Sequence, residues 1–246
     1  MSLAVTVLGS SAMYATAERA CSGYLVEADD KRIWMDAGGG TWLRLQGLVD
    51  QLDLDAVVLS HRHPDHVIDL FQCFHARRYG GPEPLEKIPL WAPVETMERL
   101  LGFSGELDES FEIEPVGAGG SMKMGGTSIS FFEMAHPAET IGIRYENNGT
   151  VLAYSSDTGP GGDLGSLASG ADLLICEATF QEADDEWDGH LTAAQAGRAA
   201  AEAEVQRLVL THLPNHRDLS LSVLEAQHCC DGIDVSLAAD LLRYEL

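Results

Sequence analysis

The stretch Ala56-Val57-Val58-Leu59-Ser60-His61-Arg62-His63-Pro64-Asp65-His66 decides how this chain is read. A short apolar, β-branched run predicts a buried strand. Where it stops, three imidazoles and one carboxylate follow within six residues. Neutral imidazole nitrogen and carboxylate oxygen are good ligands for zinc and related divalent ions. In an extended segment the alternate residues His61 and His63 project the same way. Pro64 then turns the chain, so that Asp65 and His66, at the start of a following helix, face a second ion. A polar loop that happens to hold histidines is the better reading of a lone histidine, and the worse one of four ligand-capable residues at this spacing.

Around this segment lie 246 residues, 45% hydrophobic and 22% charged, the composition of a globular protein rather than of a disordered, collagenous or coiled-coil chain. A core at this length buries about 70% of the unfolded surface, so no metal is needed merely to fold, and one held here serves chemistry. The formal charge of -24 is spread along the chain. It repels phosphate polyanions at long range and argues against a broad nucleic-acid-binding face. Five cysteines without CxxC spacing suit a reducing compartment, and the pair Cys229-Cys230 reads as a buried helix face. No cationic leader precedes the apolar start, and no uncharged run reaches the roughly 18 residues that cross a bilayer. The expected setting is cytoplasmic, without membrane contact.

Strands are predicted at 3–8, 22–26, 32–35, 56–59, 88–91, 128–132, 141–145, 151–154, 173–176 and 207–210. Helices are predicted at 41–51, 67–78, 94–101, 192–204 and 219–230, and the Gly-rich pieces 117–126 and 159–165 are turn-sized. Strands dominate early and alternate with helices later. That is an α/β pattern of sheets covered by helices, with no reason to divide residues 1–246 into more than one domain.

His61-x-His63-x-Asp65-His66 resembles the signature of the metallo-β-lactamase fold superfamily. The likeness continues in order through His136 in Met134-Ala135-His136-Pro137, Asp157 in Ser155-Ser156-Asp157-Thr158-Gly159, and His212 in Leu210-Thr211-His212, each at a predicted strand end. The resemblance implies a four-layer αββα sandwich. It also implies a first metal on His61, His63 and His136, a second on Asp65, His66 and His212, and Asp157 bridging them. Seven ligands are too many for one closed structural ion, which needs four, and suit two ions that share a carboxylate. Ligand type favours zinc, with manganese, iron or cobalt also accepted.

Within that superfamily the chain is most similar to the ribonuclease Z-like phosphodiesterases. The matching text is Leu8-Gly9-Ser10, Ser156-Asp157-Thr158-Gly159, Cys176-Glu177-Ala178-Thr179-Phe180 and Gly189-His190-Leu191-Thr192-Ala193-Ala194-Gln195-Ala196. The spacing looks still more like a compact actinobacterial group that includes enzymes opening cyclic nucleotides. The chain departs from true ribonuclease Z in having Cys176 where a histidine is usual, and in lacking the inserted arm that grips transfer RNA. Without a basic arm, a chain of charge -24 has little with which to hold a large RNA.

Two divalent ions bring four positive charges, Asp65 and Asp157 return two negative ones, and a bridging hydroxide removes one more. The remaining positive charge binds a phosphodiester, and that hydroxide is the expected nucleophile. Asp65 therefore counts both as a ligand and among the catalytic residues. No serine or thiol nucleophile is required, since Gly9-Ser10-Ser11 is not a GxSxG elbow. The resemblance puts His190 near the scissile phosphate, where it protonates the leaving oxygen, with Glu177 orienting it and raising its pKa. The competing reading is a histidine that caps or packs the following helix. His75, His216 and His228 read as surface or core residues, Asp69 as solvated, and Trp34, Trp42, Trp91 and Trp187 as packing or cleft walls.

The leading expectation is thus a dinuclear metal-dependent phosphodiesterase acting on a nucleotide-sized substrate, with cyclic nucleotides among the candidates. The alternatives are a ribonuclease Z-type RNA 3' endonuclease, a lactonase or thioesterase of the same fold, and a non-enzymatic metal-dependent binding module. Resemblance alone suggests a homodimer.

Overall fold

A computed structural model describes residues 3–50, 53–184 and 187–246. The chain opens with β1 (Leu3–Gly9), β2 (Gly23–Ala28), β3 (Lys31–Ala37), α1 (Thr41–Gln46), β4 (Ala56–Val58), α2 (Pro64–Val67) and α3 (Leu70–Tyr79). It continues through β5 (Ile88–Ala92), α4 (Val94–Phe103), β6 (Phe111–Pro115), β7 (Ser121–Met124), β8 (Thr127–Glu133), β9 (Ile141–Asn147) and β10 (Thr150–Tyr154). Last come α5 (Leu164–Ala168), β11 (Leu173–Glu177), α6 (Ala193–Glu202), β12 (Arg207–Thr211), α7 (Leu219–Cys229), β13 (Asp234–Leu237) and β14 (Arg243–Glu245).

The strands form two sheets, ordered β14-β1-β2-β3-β4-β5-β6 and β13-β12-β11-β10-β9-β8-β7. Alternation along each strand divides its side chains between two layers. In β3, Ile33 and Met35 face the core between the sheets while Trp34 packs outward among Trp42, Leu45, Phe74 and Met97. In β11, Leu173 and Ile175 face inward while Leu174 and Cys176 pack outward against Ala193, Ala196, Ala200 and Ala226 of α6 and α7. Helix, sheet, sheet, helix: the four-layer αββα sandwich is the observed architecture.

Every interior strand was legible in the sequence, and the four that were not, β6, β7, β13 and β14, are the outermost strands of the two sheets. Most interior strands are buried on both faces and read as near-continuous apolar runs, while interior β8 alternates buried and half-buried residues. An edge strand mixes exposed charge into a short segment, as in Phe-Glu-Ile-Glu-Pro, Ser-Met-Lys-Met and Arg-Tyr-Glu. Helix bounds also shifted. The predicted 41–51 helix ends at Gln46, and its last residue lies outside the described ones. The predicted 67–78 helix is two helices, α2 and α3, and the turn-sized piece 159–165 runs into α5. Asp69 is not solvated. It is buried, and its Oδ2 accepts the backbone N–H groups of Gly40 (2.8 Å) and Trp42 (2.9 Å), capping α1 from a distance. Cys230 is buried and Cys229 half-buried, the latter closing α7.

The site grows from one edge of this sandwich. β3 and β4 are parallel neighbours in one sheet, as are β10, β11 and β12 in the other. The residues following their carboxyl ends therefore collect along one crevice, the usual place for a ligand in layered sheets.

Candidate metal centre

His61 and His63 leave β4 in extended backbone. Pro64 then occupies the first position of α2, with His63 as its N-cap, and swings Asp65 and His66 into the same space. His136 comes from the loop after β8, Asp157 from the loop after β10, and His212 follows β12 directly. All seven converge. One group, His61, His63, His136 and Asp157, and a second, Asp65, His66 and His212, each offer ligand atoms within 4.8 Å of one another and could hold a metal ion. Asp157 joins the groups: its Oδ2 lies 3.6 Å from His61 Nε2 and 3.4 Å from His212 Nε2, and its Oδ1 3.3 Å from His66 Nε2.

Second partners of the imidazoles settle which nitrogens face inward. A carboxylate or carbonyl only accepts, so His66 Nδ1–H donates to Asp36 (2.7 Å) and His136 Nδ1–H to the Gly189 carbonyl (2.8 Å). Ser60 Oγ spends its hydrogen on Asp36 (2.8 Å) and so accepts from His61 Nδ1 (3.1 Å). Thr179 Oγ1 likewise donates to Glu177 (2.8 Å) and accepts from His212 Nδ1 (2.8 Å). In its neutral form each of these four rings is thereby fixed as the tautomer that turns the Nε2 lone pair into the site. His63 uses its other nitrogen: Nδ1 stands 3.1 Å from both His61 Nε2 and His136 Nε2.

Lone pairs and carboxylate oxygens thus crowd together with too few hydrogens between them. Among the described residues, His66 Nε2 and Asp157 Oδ1 are buried with no hydrogen-bond partner and face each other at 3.3 Å, a costly condition that a cation relieves. Ionisation agrees for three of the imidazoles, and the fourth, His66, is held charged by the carboxylates around it. Burial, joined by the neighbouring imidazoles, pushes His61, His63 and His136 down toward the neutral, ligating form. Burial also opposes charge on His66, yet Asp157 and Asp36 hold its imidazole well above the usual value. Asp65 and Asp157 lie well below the usual carboxylate range despite burial, held there chiefly by His212 and His66. The donor set therefore fits divalent metal.

Asp36 is the functional residue that sequence reasoning missed. Fully buried at the end of β3, it accepts from Ser60 N–H (2.7 Å), Ser60 Oγ, His66 Nδ1 and Tyr154 Oη (2.8 Å). Its only signal was a lone acid closing the apolar run Ile33-Trp34-Met35. Asp36, Ser156 and His212, with φ of 56°, 55° and 52°, hold left-handed backbone at the site, the kind of strain that packing maintains where geometry matters.

His190 and Glu177 meet in the structure. Glu177, fully buried, takes His190 Nδ1–H (2.7 Å) and the backbone N–H of Thr158 (2.7 Å). Burial opposes protonation of His190, but Glu177 outweighs it and raises the imidazole. The ring stands 5.1 Å from that of His136 and 5.2 Å from that of His212. With Asp157 and His212 it forms a third ligand-capable group. His75, His216 and His228 are exposed and stay out of the site, and Trp34, Trp42 and Trp91 belong to the core.

A model of the beta-lactamase superfamily domain matches residues 31–213. An uncharacterized protein of Mycobacterium leprae is 36% identical over 238 residues, 93% of this chain and 84% of that one. YhfI of Bacillus subtilis, called a probable metallo-hydrolase, is 30% identical over 86% of this chain and 87% of its own. The crystal structure of YhfI, a metallo-beta-lactamase fold protein, superposes with a TM-score of 0.93 at 27% identity, covering 100% of both chains. Ribonuclease Z of Thermobifida fusca is 29% identical over 96% of this chain and 92% of its own. Among the described residues, no helix is long and apolar enough to cross a membrane.

Proposed function

The chain belongs to the beta-lactamase superfamily, and from that premise we propose that it is a dinuclear metal-dependent phosphodiesterase acting on a nucleotide-sized substrate. The first ion is assigned to His61, His63 and His136, the second to Asp65, His66 and His212, with Asp157 shared. Zinc suits this set of imidazoles and carboxylates. Two such cations supply Lewis acidity toward phosphoryl oxygens and lower the pKa of water.

The protein's own groups supply the rest. Asp36 and Glu177, with Ser60 and Thr179 between, lock the imidazole tautomers so that no reorganisation is needed when substrate arrives. Asp65, held by the Met13 N–H (2.8 Å) and kept ionised by His212 and His66, is a carboxylate available to orient the attacking water. His190 keeps Nδ1 on Glu177, turns Nε2 to the crevice, and donates a proton to the departing oxygen. This His190–Glu177 pair beside two ligand groups carries the reading, because an alkoxide leaving from phosphorus needs a proton. Kinship with a ribonuclease Z supports phosphodiester chemistry, and the charge of -24 favours a small substrate over a large RNA.

The test is elemental analysis of protein purified without added metal, joined to hydrolysis of bis(p-nitrophenyl) phosphate and cyclic nucleotides. Two ions per chain and phosphodiester turnover, lost by at least about 1,000-fold in Asp157→Ala, are expected. Turnover of lactones or thioesters with none of any phosphodiester would select an acyl hydrolase and end the proposal.

A further inference from the structure

Beside His190 opens a cavity of about 260 Å3 whose walls include Phe180, Trp187, Asp188, Thr192 and Gln195. Pockets for drug-sized ligands span roughly 300–1,000 Å3, so this one admits a single ring system rather than a length of polymer. Its walls are aromatic on two sides. The Trp187 ring centroid lies 5.1 Å from that of His190 and the Phe180 centroid 5.9 Å from it, tilted 56° and 76°. Trp187 is 49% exposed, whereas Trp34, Trp42 and Trp91 are at most 4% exposed. A large π-face left in water beside a reactive histidine is surface awaiting a partner.

The walls are also fixed. A Cβ on Gly159 would lie 1.6 Å from the Asp188 carbonyl oxygen, and one on Gly189 would lie 2.4 Å from the Trp187 indole. Both glycines thus let the 187–190 segment lie flat on the site, with the indole folded over Gly189. Phe180 is bridged in parallel to Thr192 and bonded through Phe180 N–H to Leu191 O and Ala193 N–H to Phe180 O, both 2.9 Å. Polar groups complete the lining. Gln195 Oε1 accepts from Thr192 N–H (2.8 Å) in the helix cap, which leaves the Nε2 hydrogens for a ligand, and Asp188 offers an exposed carboxylate acceptor.

We infer that this cavity is a nucleobase subsite: the base of a nucleoside phosphodiester stacks on Trp187 opposite Phe180, with Gln195 donating to a ring nitrogen and Asp188 accepting from an exocyclic amine. The inference rests on the phosphodiesterase reading and narrows it. Because the cavity shares His190 as a wall, the nucleoside is on the side of the leaving oxygen.

The experiment compares adenosine 5'-monophosphate, ribose 5-phosphate and phosphocholine as ligands of the metal-loaded protein by calorimetry, with tryptophan fluorescence read alongside. The base contributes roughly 10- to 100-fold in affinity over ribose 5-phosphate, and its stacking quenches the emission of Trp187. Trp187→Ala removes most of that advantage while ribose 5-phosphate binds as before, and Trp187→Phe, which keeps an aromatic face, recovers much of it. Equal affinity for the two phosphates, or an advantage that survives Trp187→Ala, overturns the subsite. Tighter binding of phosphocholine overturns it too, since an aromatic wall with a carboxylate then serves a quaternary ammonium. Failure of the underlying reading looks different: bis(p-nitrophenyl) phosphate goes unhydrolysed, while base-dependent, Trp187-dependent binding still upholds the subsite.

Discussion

Two buried carboxylates, one in each sheet, are wired alike and end in different work. Asp36, at the end of β3, holds one imidazole directly, His66, and a second, His61, through the hydroxyl of Ser60. Glu177, at the end of β11, holds His190 directly and His212 through the hydroxyl of Thr179. Both are fully buried. The difference lies in where the direct imidazole points. His66 turns its Nε2 among the ligand atoms, 3.3 Å from Asp157, whereas His190 also borders the open cavity beside Phe180 and Trp187. On the proposed function, one wiring plan serves construction in the first sheet and proton transfer in the second. What a buried carboxylate does is decided by the surroundings of the imidazole it grips.

The largest effect is expected from breaking the constructive half. Asp36→Ala strands Ser60 N–H, the Ser60 hydroxyl, His66 Nδ1 and the Tyr154 hydroxyl in the interior. Each buried group left without a partner costs about 1–3 kcal/mol, so a total on the order of 3–5 kcal/mol is expected after relaxation. Loss of the partner behind a metal-bound histidine typically costs 10- to 100-fold in metal affinity; here His66 loses it outright, and the Ser60 hydroxyl that holds His61 loses its own anchor. Elemental analysis of Asp36→Ala should find the metal content collapsed, and its melting temperature should fall by about 2–4 °C for each kcal/mol lost. A variant that keeps both its metal and its melting point would remove the distinction between the two carboxylates.

Glu177→Gln breaks the other half and should look different. His212 keeps its Thr179 partner, so metal content should hold. The damage falls on His190, whose raised pKa depends on the Glu177 charge. The active form of a general acid is protonated: below its pKa the rate is full, and as pH rises through it kcat declines. Removing the carboxylate lowers that pKa, so the alkaline decline moves to lower pH. At alkaline pH the variant loses on the order of 100-fold in kcat. A pH–rate profile and metal analysis on one preparation decide it, and loss of metal with an unmoved alkaline limb would make Glu177 a second Asp36.

The same contrast explains what the sequence could reveal. His61, His63, Asp65 and His66 announce themselves because one loop carries them all, and His190 because a helix-cap pattern follows it. Asp36 stands alone: its partners lie 24, 30 and 118 positions away, and nothing local distinguishes it from any acid that ends a strand. Asp69 misled for the same reason, its partners Gly40 and Trp42 being 29 and 27 positions distant. Most interior strands were readable because two-sided burial leaves a near-continuous apolar run, and β8 because its buried residues alternate. The four outermost strands were not, since pairing on one side only leaves a short segment free to carry charge.

The smallest effect tests how completely Asp36 is held. Tyr154 sits fully buried in β10, packs its ring against Tyr24 with centroids 4.9 Å apart, and donates its hydroxyl to Asp36 Oδ2 at 2.8 Å. This bond links the two sheets behind the ligand-capable imidazoles. Tyr154→Phe keeps the ring packing and removes one charge-assisted bond, leaving Asp36 with both Ser60 donors and His66. Such a bond contributes about 1.5–3 kcal/mol, and since no protein donor is left unpaired the lower end is expected, a fall of a few degrees in melting temperature. Metal content should stay at its wild-type level, because neither His66 nor the Ser60 relay to His61 loses its partner. If Tyr154→Phe instead releases metal as Asp36→Ala does, Asp36 depends on the opposite sheet to keep its position, and the two carboxylates are halves of one cross-sheet device. An unchanged melting point would mean that the Ser60 and His66 donors already satisfy Asp36, with the tyrosine hydroxyl adding nothing beyond its ring.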